Sequence, residues 1–173
     1  VPPCALPLSA SALIDDVVTL RRQLHEHPEL GLDNPRPQQR ILDALEGLPL
    51  DIRTGSGLTS VVADLEGAFD GPTVLLRADT DALPMPEESG EPFCSQIEGR
   101  AHACGHDAHA AMLVGAAKLL VDRRSDLHGR VRFMFQPGEE GGGGAGVMVD
   151  EGVLDGVDRA FAIHITDRKS TRL

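Results

Sequence analysis

Between two runs of strand-forming residues lies an alanine-rich stretch, Asp107 to Val121, whose Ala110, Ala111, Gly115 and Ala117 would let a helix lie close against a sheet. The flanking runs supply that sheet. Leu58 to Leu65, Thr73 to Ala78, Arg130 to Phe135 and Arg159 to His164 read as strands, rich in Val, Thr, Leu and Phe. Val74-Leu75-Leu76 and Phe161-Ala-Ile163 are apolar on successive residues, the pattern of strands covered on both faces. Upstream, Leu13, Ile14, Val17, Leu20 and Leu24 recur at helical spacing from Ser11 to His27, with Ser9 or Ser11 as cap and Pro28 as stop. A second helix opens after Asn34-Pro35, carries Ile41, Leu42 and Leu45, and ends at Gly47. The resulting order, α-α-β-β-β-α-β-α-β with four of its strands located, is that of a helix-covered mixed α/β layer.

The 173 residues, 41% of them hydrophobic, suit one compact domain or a piece of a larger one. With five Phe and no Trp or Tyr, the core must be built from Ala, Leu and Val. A net charge of −11 argues against nucleic acid or an anionic membrane as partner. Cys4, Cys94 and Cys104 are odd in number and form no C-x-x-C pair, so a disulfide framework is not expected and a reducing compartment is. The N-terminus has neither a basic leader nor a long apolar run, and no stretch is long enough to span a bilayer; a cytoplasmic location is expected.

Three of the strands run directly into chemically capable side chains: Thr73 to Ala78 into Asp79 and Asp81, Arg130 to Phe135 into Glu139 and Glu140, and Phe161-Ala-Ile163 into His164. Sites in open α/β sheets form at the carboxyl ends of strands, where loops converge. His106, at the start of the Ala-rich helix, and Cys104, two residues earlier across a glycine, can turn toward the same point. A thiolate there gains from the helix N-terminus and can bridge two cations. With Glu140 and His164 it makes a mixed sulfur, nitrogen and oxygen set that suits zinc or manganese, with cobalt or nickel as alternatives, better than calcium or magnesium. Adjacent glutamates divide naturally into two jobs: one binds metal, the other takes a proton from an activated water. Asp79 is placed to accept from, and so orient, a ligand imidazole.

Other residues read more plainly. His25, His27 and His128 sit at helix ends or in loops and are expected outside the site, and Cys94 is expected to be an ordinary cysteine. His102 and His109 stay open between ligand, supporting and structural roles, and Asp81 reads as a turn cap. Gly141, Gly143 and Gly146 fit G-x-G-x-x-G, but two carboxylates upstream would repel a pyrophosphate and no Lys or Ser/Thr follows as in a P-loop. The glycines are better explained as a tight backbone curl beside the site.

Four segments, Arg77-Ala-Asp-Thr-Asp-Ala-Leu-Pro84, His102-Ala-Cys-Gly-His-Asp-Ala-His109, Phe135-Gln-Pro-Gly-Glu-Glu-Gly-Gly-Gly-Gly144 and Ala160-Phe-Ala-Ile-His164, resemble the successive signatures of the M20 metallopeptidase family. Within it they are similar to the amidohydrolases of N-acyl amino acids, hippurate and indole-acetyl conjugates, and Leu24-His-Glu-His-Pro-Glu-Leu-Gly31 resembles that branch's N-terminal segment. The resemblance implies a partial zinc-exopeptidase-like catalytic domain. It implies that Cys104 bridges two divalent ions, that His106, Glu140 and His164 complete their shells, and that Glu139 is the general base. The reaction implied is hydrolysis of a small N-acyl amino acid to a carboxylic acid and a free amino acid. A dipeptidase or carboxypeptidase of the same family is the alternative enzyme, and a non-catalytic metal-binding fragment the alternative outside catalysis. Family members are considerably longer, with an inserted dimerisation domain and a returning catalytic segment that this chain lacks, so a homodimer is expected only for the full-length protein. Residues 1–166 are read as the N-terminal part of the catalytic domain, inactive by itself. The tail Asp167-Arg-Lys-Ser-Thr-Arg-Leu173 is read as non-native.

Overall fold

The computed structural model describes residues 8–166, so the expectations for the extreme N-terminus and for the 167–173 tail lie outside the described residues. Ser9 caps the first helical segment, its hydroxyl accepting the Ala12 N–H at 3.3 Å. A 3-10 turn over Ala10–Leu13 leads straight into α1, Ile14–His25, which turns Leu20 and Leu24 inward and ends three residues before Pro28. α2, Pro35–Leu45, starts on proline, whose missing N–H is no loss in a first turn, and buries Ile41 and Leu45.

Among the described residues the sheet has five strands: β1, Asp51–Thr54; β2, Val61–Glu66; β3, Phe69–Asp79; β4, His128–Gln136; and β5, Arg159–Ala162. Their spatial order is β1-β2-β4-β3-β5. β1, β2 and β4 pair antiparallel, whereas β4, β3 and β5 run parallel, which makes the sheet mixed as expected. Each parallel connection carries a helix: α3, His106–Asp122, lies between β3 and β4, and α4, Gly144–Asp150, between β4 and β5.

Alternation along the strands divides the core in two. Val61, Ala63, Leu65, Phe133, Phe135 and Ala78 join Leu20, Leu24, Ile41, Leu45, Ala110, Ala111, Val114 and Ala117 on the face covered by α1, α2 and α3. Val62, Leu75 and Met134 point the other way, onto Leu58, Met148 and Val153. Phe133 and Phe135 are 0% and 1% exposed, and each contributes roughly 1.5–3 kcal/mol by leaving water. Ala110, Ala111 and Ala117 meet the helix-covered sheet face as anticipated, but Gly115 abuts Val17 of α1. No helix among the described residues is long and apolar enough to cross a membrane.

Two expectations need correcting. The sequence pattern does not mark β1, because Asp-Ile-Arg-Thr is short, largely exposed and without apolar alternation. β5 stops at Ala162, and among the described residues it is an edge strand rather than one covered on both faces: Phe161 and Ile163 are 59% and 79% exposed. An apolar run signals burial only where the topology supplies a cover, and strand order cannot be read from residue pattern.

Candidate metal centre

The carboxyl ends of β3, β4 and β5 and the start of α3 converge on one point, and His106 is the side chain there that every ligand cluster shares. It enters α3 directly after Gly105, whose φ of +86° turns the chain so that Cys104 and His106 face the same side. A side chain at Gly105 would also strike Ile165. The His106 ring is fully buried, and its Nδ1 donates to the Asp81 carbonyl at 2.8 Å. That bond aims Nε2 outward, where it has no hydrogen-bond partner. Around Nε2 lie Asp79 Oδ2 at 3.6 Å, Glu140 Oε1 at 3.7 Å and Glu139 Oε2 at 3.8 Å. A buried nitrogen left alone among carboxylates costs free energy unless something cationic sits between them.

His164 follows β5 and donates from Nδ1 to the Ile165 carbonyl at 2.6 Å, which leaves Nε2 facing Cys104 Sγ at 3.3 Å. The ligand atoms of Cys104, His106 and His164 lie within 4.8 Å of one another, and so do those of His106, Glu139 and Glu140. All five residues named as ligands or base from the sequence are thus brought together, in two groups joined at His106. A third group, Asp79, His106 and His109, all three buried, meets the same distance limit.

The two glutamates are held by a residue whose place after a strand suggests only a turn cap. The buried Asp81 carboxylate accepts the Glu139 N–H at 2.9 Å and the Glu140 N–H at 3.0 Å. Burial would raise its pKa, but those bonds and the one involving His106 outweigh burial and hold it below the ordinary carboxylate value. The glycines after the pair curl the chain back: Gly144 packs where any side chain would run into the Pro137 carbonyl. The Glu139 side chain is 41% exposed and that of Glu140 24%.

The charges crowd. Cys104 is pushed up to about 12, first by burial, then by a hydrogen bond to Glu140 and by the charges of Glu140, Asp79 and Glu139. Burial works against a proton on His106, yet Asp81 and Asp79 together raise its pKa above the ordinary imidazole value. A cation at the centre would reverse both effects, drawing off the thiol proton and replacing the imidazole one.

Asp79 contacts an imidazole, that of His109, one of the two histidines left open from the sequence. Its Oδ1 binds His109 Nδ1 at 2.6 Å and its Oδ2 binds Arg77 Nη1 at 2.7 Å, while His106 stays at 3.6 Å. His25 is outside the cluster, as expected, but is no bystander. It is buried, with Nδ1 on Asp107 at 2.6 Å and Nε2 on Glu87 at 2.9 Å, and Arg21 reaches Asp107 at 2.7 Å. The spacing of Arg21 and His25, one helical turn apart on α1, was the available signal. His102 is buried with neither ring nitrogen partnered, and Cys94 is exposed.

Comparison with known proteins accords with this geometry. The chain is 44% identical over 149 residues to the N-acetylcysteine deacetylase of Bacillus subtilis, 86% of this chain and 39% of that one. It is 44% identical over 155 residues to thermostable carboxypeptidase 1 of Saccharolobus solfataricus, 88% of this chain and 39% of that one. The crystal structure of the Bacillus subtilis YXEP protein, described as a dinuclear metal binding peptidase from the M20 family, superposes with a TM-score of 0.88 at 42% identity. That match covers 92% of this chain and 45% of YXEP, so the chain spans less than half of each of these relatives. The family model for peptidase family M20/M25/M40 matches residues 75–172, more than half of the chain, and to that family the protein belongs.

Proposed function

We propose that the full-length protein is a metal-dependent amidohydrolase that releases amino acids from their N-acyl derivatives. The observation that carries this reading is the unpartnered Nε2 of buried His106, a residue whose ligand atom lies within 4.8 Å of those of Cys104 and His164 and also of those of Glu139 and Glu140. Cys104, His106, Glu140 and His164 would hold two divalent ions, with zinc or manganese suited to such a mixed donor set. Bound there, the ions would supply Lewis acidity toward the amide carbonyl and lower the pKa of water. Glu139, the more exposed of the pair, would take the proton from the attacking water and deliver it to the amide nitrogen as the C–N bond breaks. The products are a carboxylic acid and an amino acid with a free amine.

A deacetylase of N-acetylcysteine and a carboxypeptidase both cut an amide whose nitrogen belongs to an amino acid with a free carboxylate, and both are among the relatives. We take that shared group as the substrate class. A thiol ligand that must stay reduced also favours the cytoplasm. The test is a substrate panel on the full-length enzyme: N-acetyl amino acids, hippurate and dipeptides, before and after chelation and metal return. Chelator-sensitive release of amino acid from the N-acyl compounds supports the proposal. Turnover of dipeptides alone would move the assignment to a dipeptidase, and turnover indifferent to chelation would refute it.

A further inference from the structure

His109 lies one helical turn after His106, is 3% exposed, and has both ring nitrogens engaged. Nδ1 sits 2.6 Å from a carboxylate oxygen of Asp79, so it carries the hydrogen. Nε2 is therefore an acceptor, and it receives the backbone N–H of Ile165 at 3.0 Å. Ile165 directly follows His164, and the strand pairing of β5 has already ended at Ala162. The His109 and His164 rings meet edge to face with centroids 4.6 Å apart. Behind His109 the chain of bonds runs back into the sheet: Asp79 is held by Arg77 at 2.7 Å, and Arg77 Nε donates to Gln136 at 2.9 Å.

We propose that His109 is a positioning residue whose Nε2 anchors the segment after β5 and so sets the His164 imidazole against Cys104. The proposal rests on the metal-site reading above. The same residue stands with Asp79 and His106 in a possible ligand cluster, but binding metal through either nitrogen would cost it the Asp79 bond or the Ile165 bond. Its two bonds make the role separable. A glutamine at this position places an amide oxygen near where Nε2 was and can accept the Ile165 N–H; an asparagine reaches only as far as Nδ1 and keeps the Asp79 bond instead.

The test is Co²⁺ binding to the full-length apoprotein, followed by equilibrium dialysis and by the thiolate-to-cobalt absorption band, for wild type, His109→Gln, His109→Asn, His164→Ala and the double variant His109→Asn/His164→Ala. Losing a group that orients a ligand typically costs 10–100-fold in metal affinity. His109→Asn should weaken one ion by about that factor, His109→Gln should bind within a few-fold of wild type, and the double variant should be no worse than His164→Ala alone. Near-wild-type binding by His109→Asn, or additive losses in the double variant, overturns the positioning role. Equal loss of an ion from His109→Gln and His109→Asn overturns it in favour of direct ligation. A wild type that shows no thiolate band sinks the metal-site reading itself, a result distinct from each of these.

Discussion

In the metal-free protein Cys104 should be an unusually unreactive thiol, and Glu140 should be a large part of the reason. With its pKa pushed up to about 12, the thiolate fraction at pH 8 is roughly 10⁻⁴, against about a quarter for an ordinary thiol with pKa near 8.5. A more basic thiolate is also a better nucleophile, with a Brønsted slope of about 0.4–0.5, which recovers roughly 30–50-fold. Exchange with an aromatic disulfide should therefore run about 10²-fold slower than for a free thiol. Glu140→Gln removes the carboxylate that hydrogen-bonds the thiol and replaces it with an amide able to donate to the thiolate. Burial, the first cause of the raised value, stays in place, as do Asp79 and Glu139. Each unit by which the pKa falls speeds exchange about 3-fold once the lost nucleophilicity is counted, so a gain of about 3–10-fold is expected. The assay is stopped-flow reaction with a dithiodipyridine on the chelated 173-residue chain in a Cys4→Ser/Cys94→Ser background, where Cys104 is the remaining one of its three cysteines. Metal-free Cys104 reacting as fast as a free thiol, or a Glu140→Gln rate equal to that of wild type, would refute the electrostatic picture of the centre.

Three further outcomes follow from the same contacts. Asp81→Ala leaves the Glu139 and Glu140 amides without their acceptor and should cost about 2–5 kcal/mol, read as a shift in the urea midpoint of chelated protein; an unchanged midpoint would show that the carboxylate holds nothing. His25 has a raised pKa, through its hydrogen bond to Asp107 and then, against burial, through Glu87, so its contribution is full below about pH 6.5 and is lost as pH rises through the folded-state value. The difference in Tm between wild type and His25→Gln should shrink as pH is raised from 6 toward 10, and a constant difference would contradict it. Arg132 makes a two-pronged bond to Asp64, at 2.8 Å through both Nε and Nη2, and also donates to the Val153 and Asp155 carbonyls. Arg132→Met should lose about 3–5 kcal/mol in denaturant melts, and pairing it with Asp64→Leu should recover part of that; a double variant worse than the single one would count against a buried ion pair.

The site was readable from the chain because parallel strands deliver their final residues to one edge, so Asp79, Glu139, Glu140 and His164 could be grouped before any coordinate was known. The start of an alanine-rich helix added His106, and Cys104 came with it. What the pattern could not carry was partnership. Asp81 looks like any aspartate after a strand until its carboxylate is seen beneath two backbone N–H groups of a loop 58 and 59 residues away. His109 shares a helical face with His106, but only the fold brings Ile165 to its second nitrogen. His25 looks like a surface histidine at a helix end, and its burial depends on Asp107 and Glu87 arriving from 82 and 62 residues downstream. Phe161 and Ile163 misled for the opposite reason: their apolar character was plain, and their place at the sheet edge was not.

The central claim is that one glutamate holds metal while its neighbour stays free to move a proton, and metal content measured beside turnover tests it most directly. The full-length enzyme, its Glu139→Gln variant and its Glu140→Gln variant would be desalted, analysed for metal by mass spectrometry and assayed on one N-acyl amino acid. Wild type and Glu139→Gln should carry the same two ions per chain, with turnover in Glu139→Gln lower by roughly 10²–10⁴-fold. Glu140→Gln should lose metal as well as turnover. A Glu139→Gln protein that loses its metal, or one that keeps wild-type turnover, would contradict the division of labour.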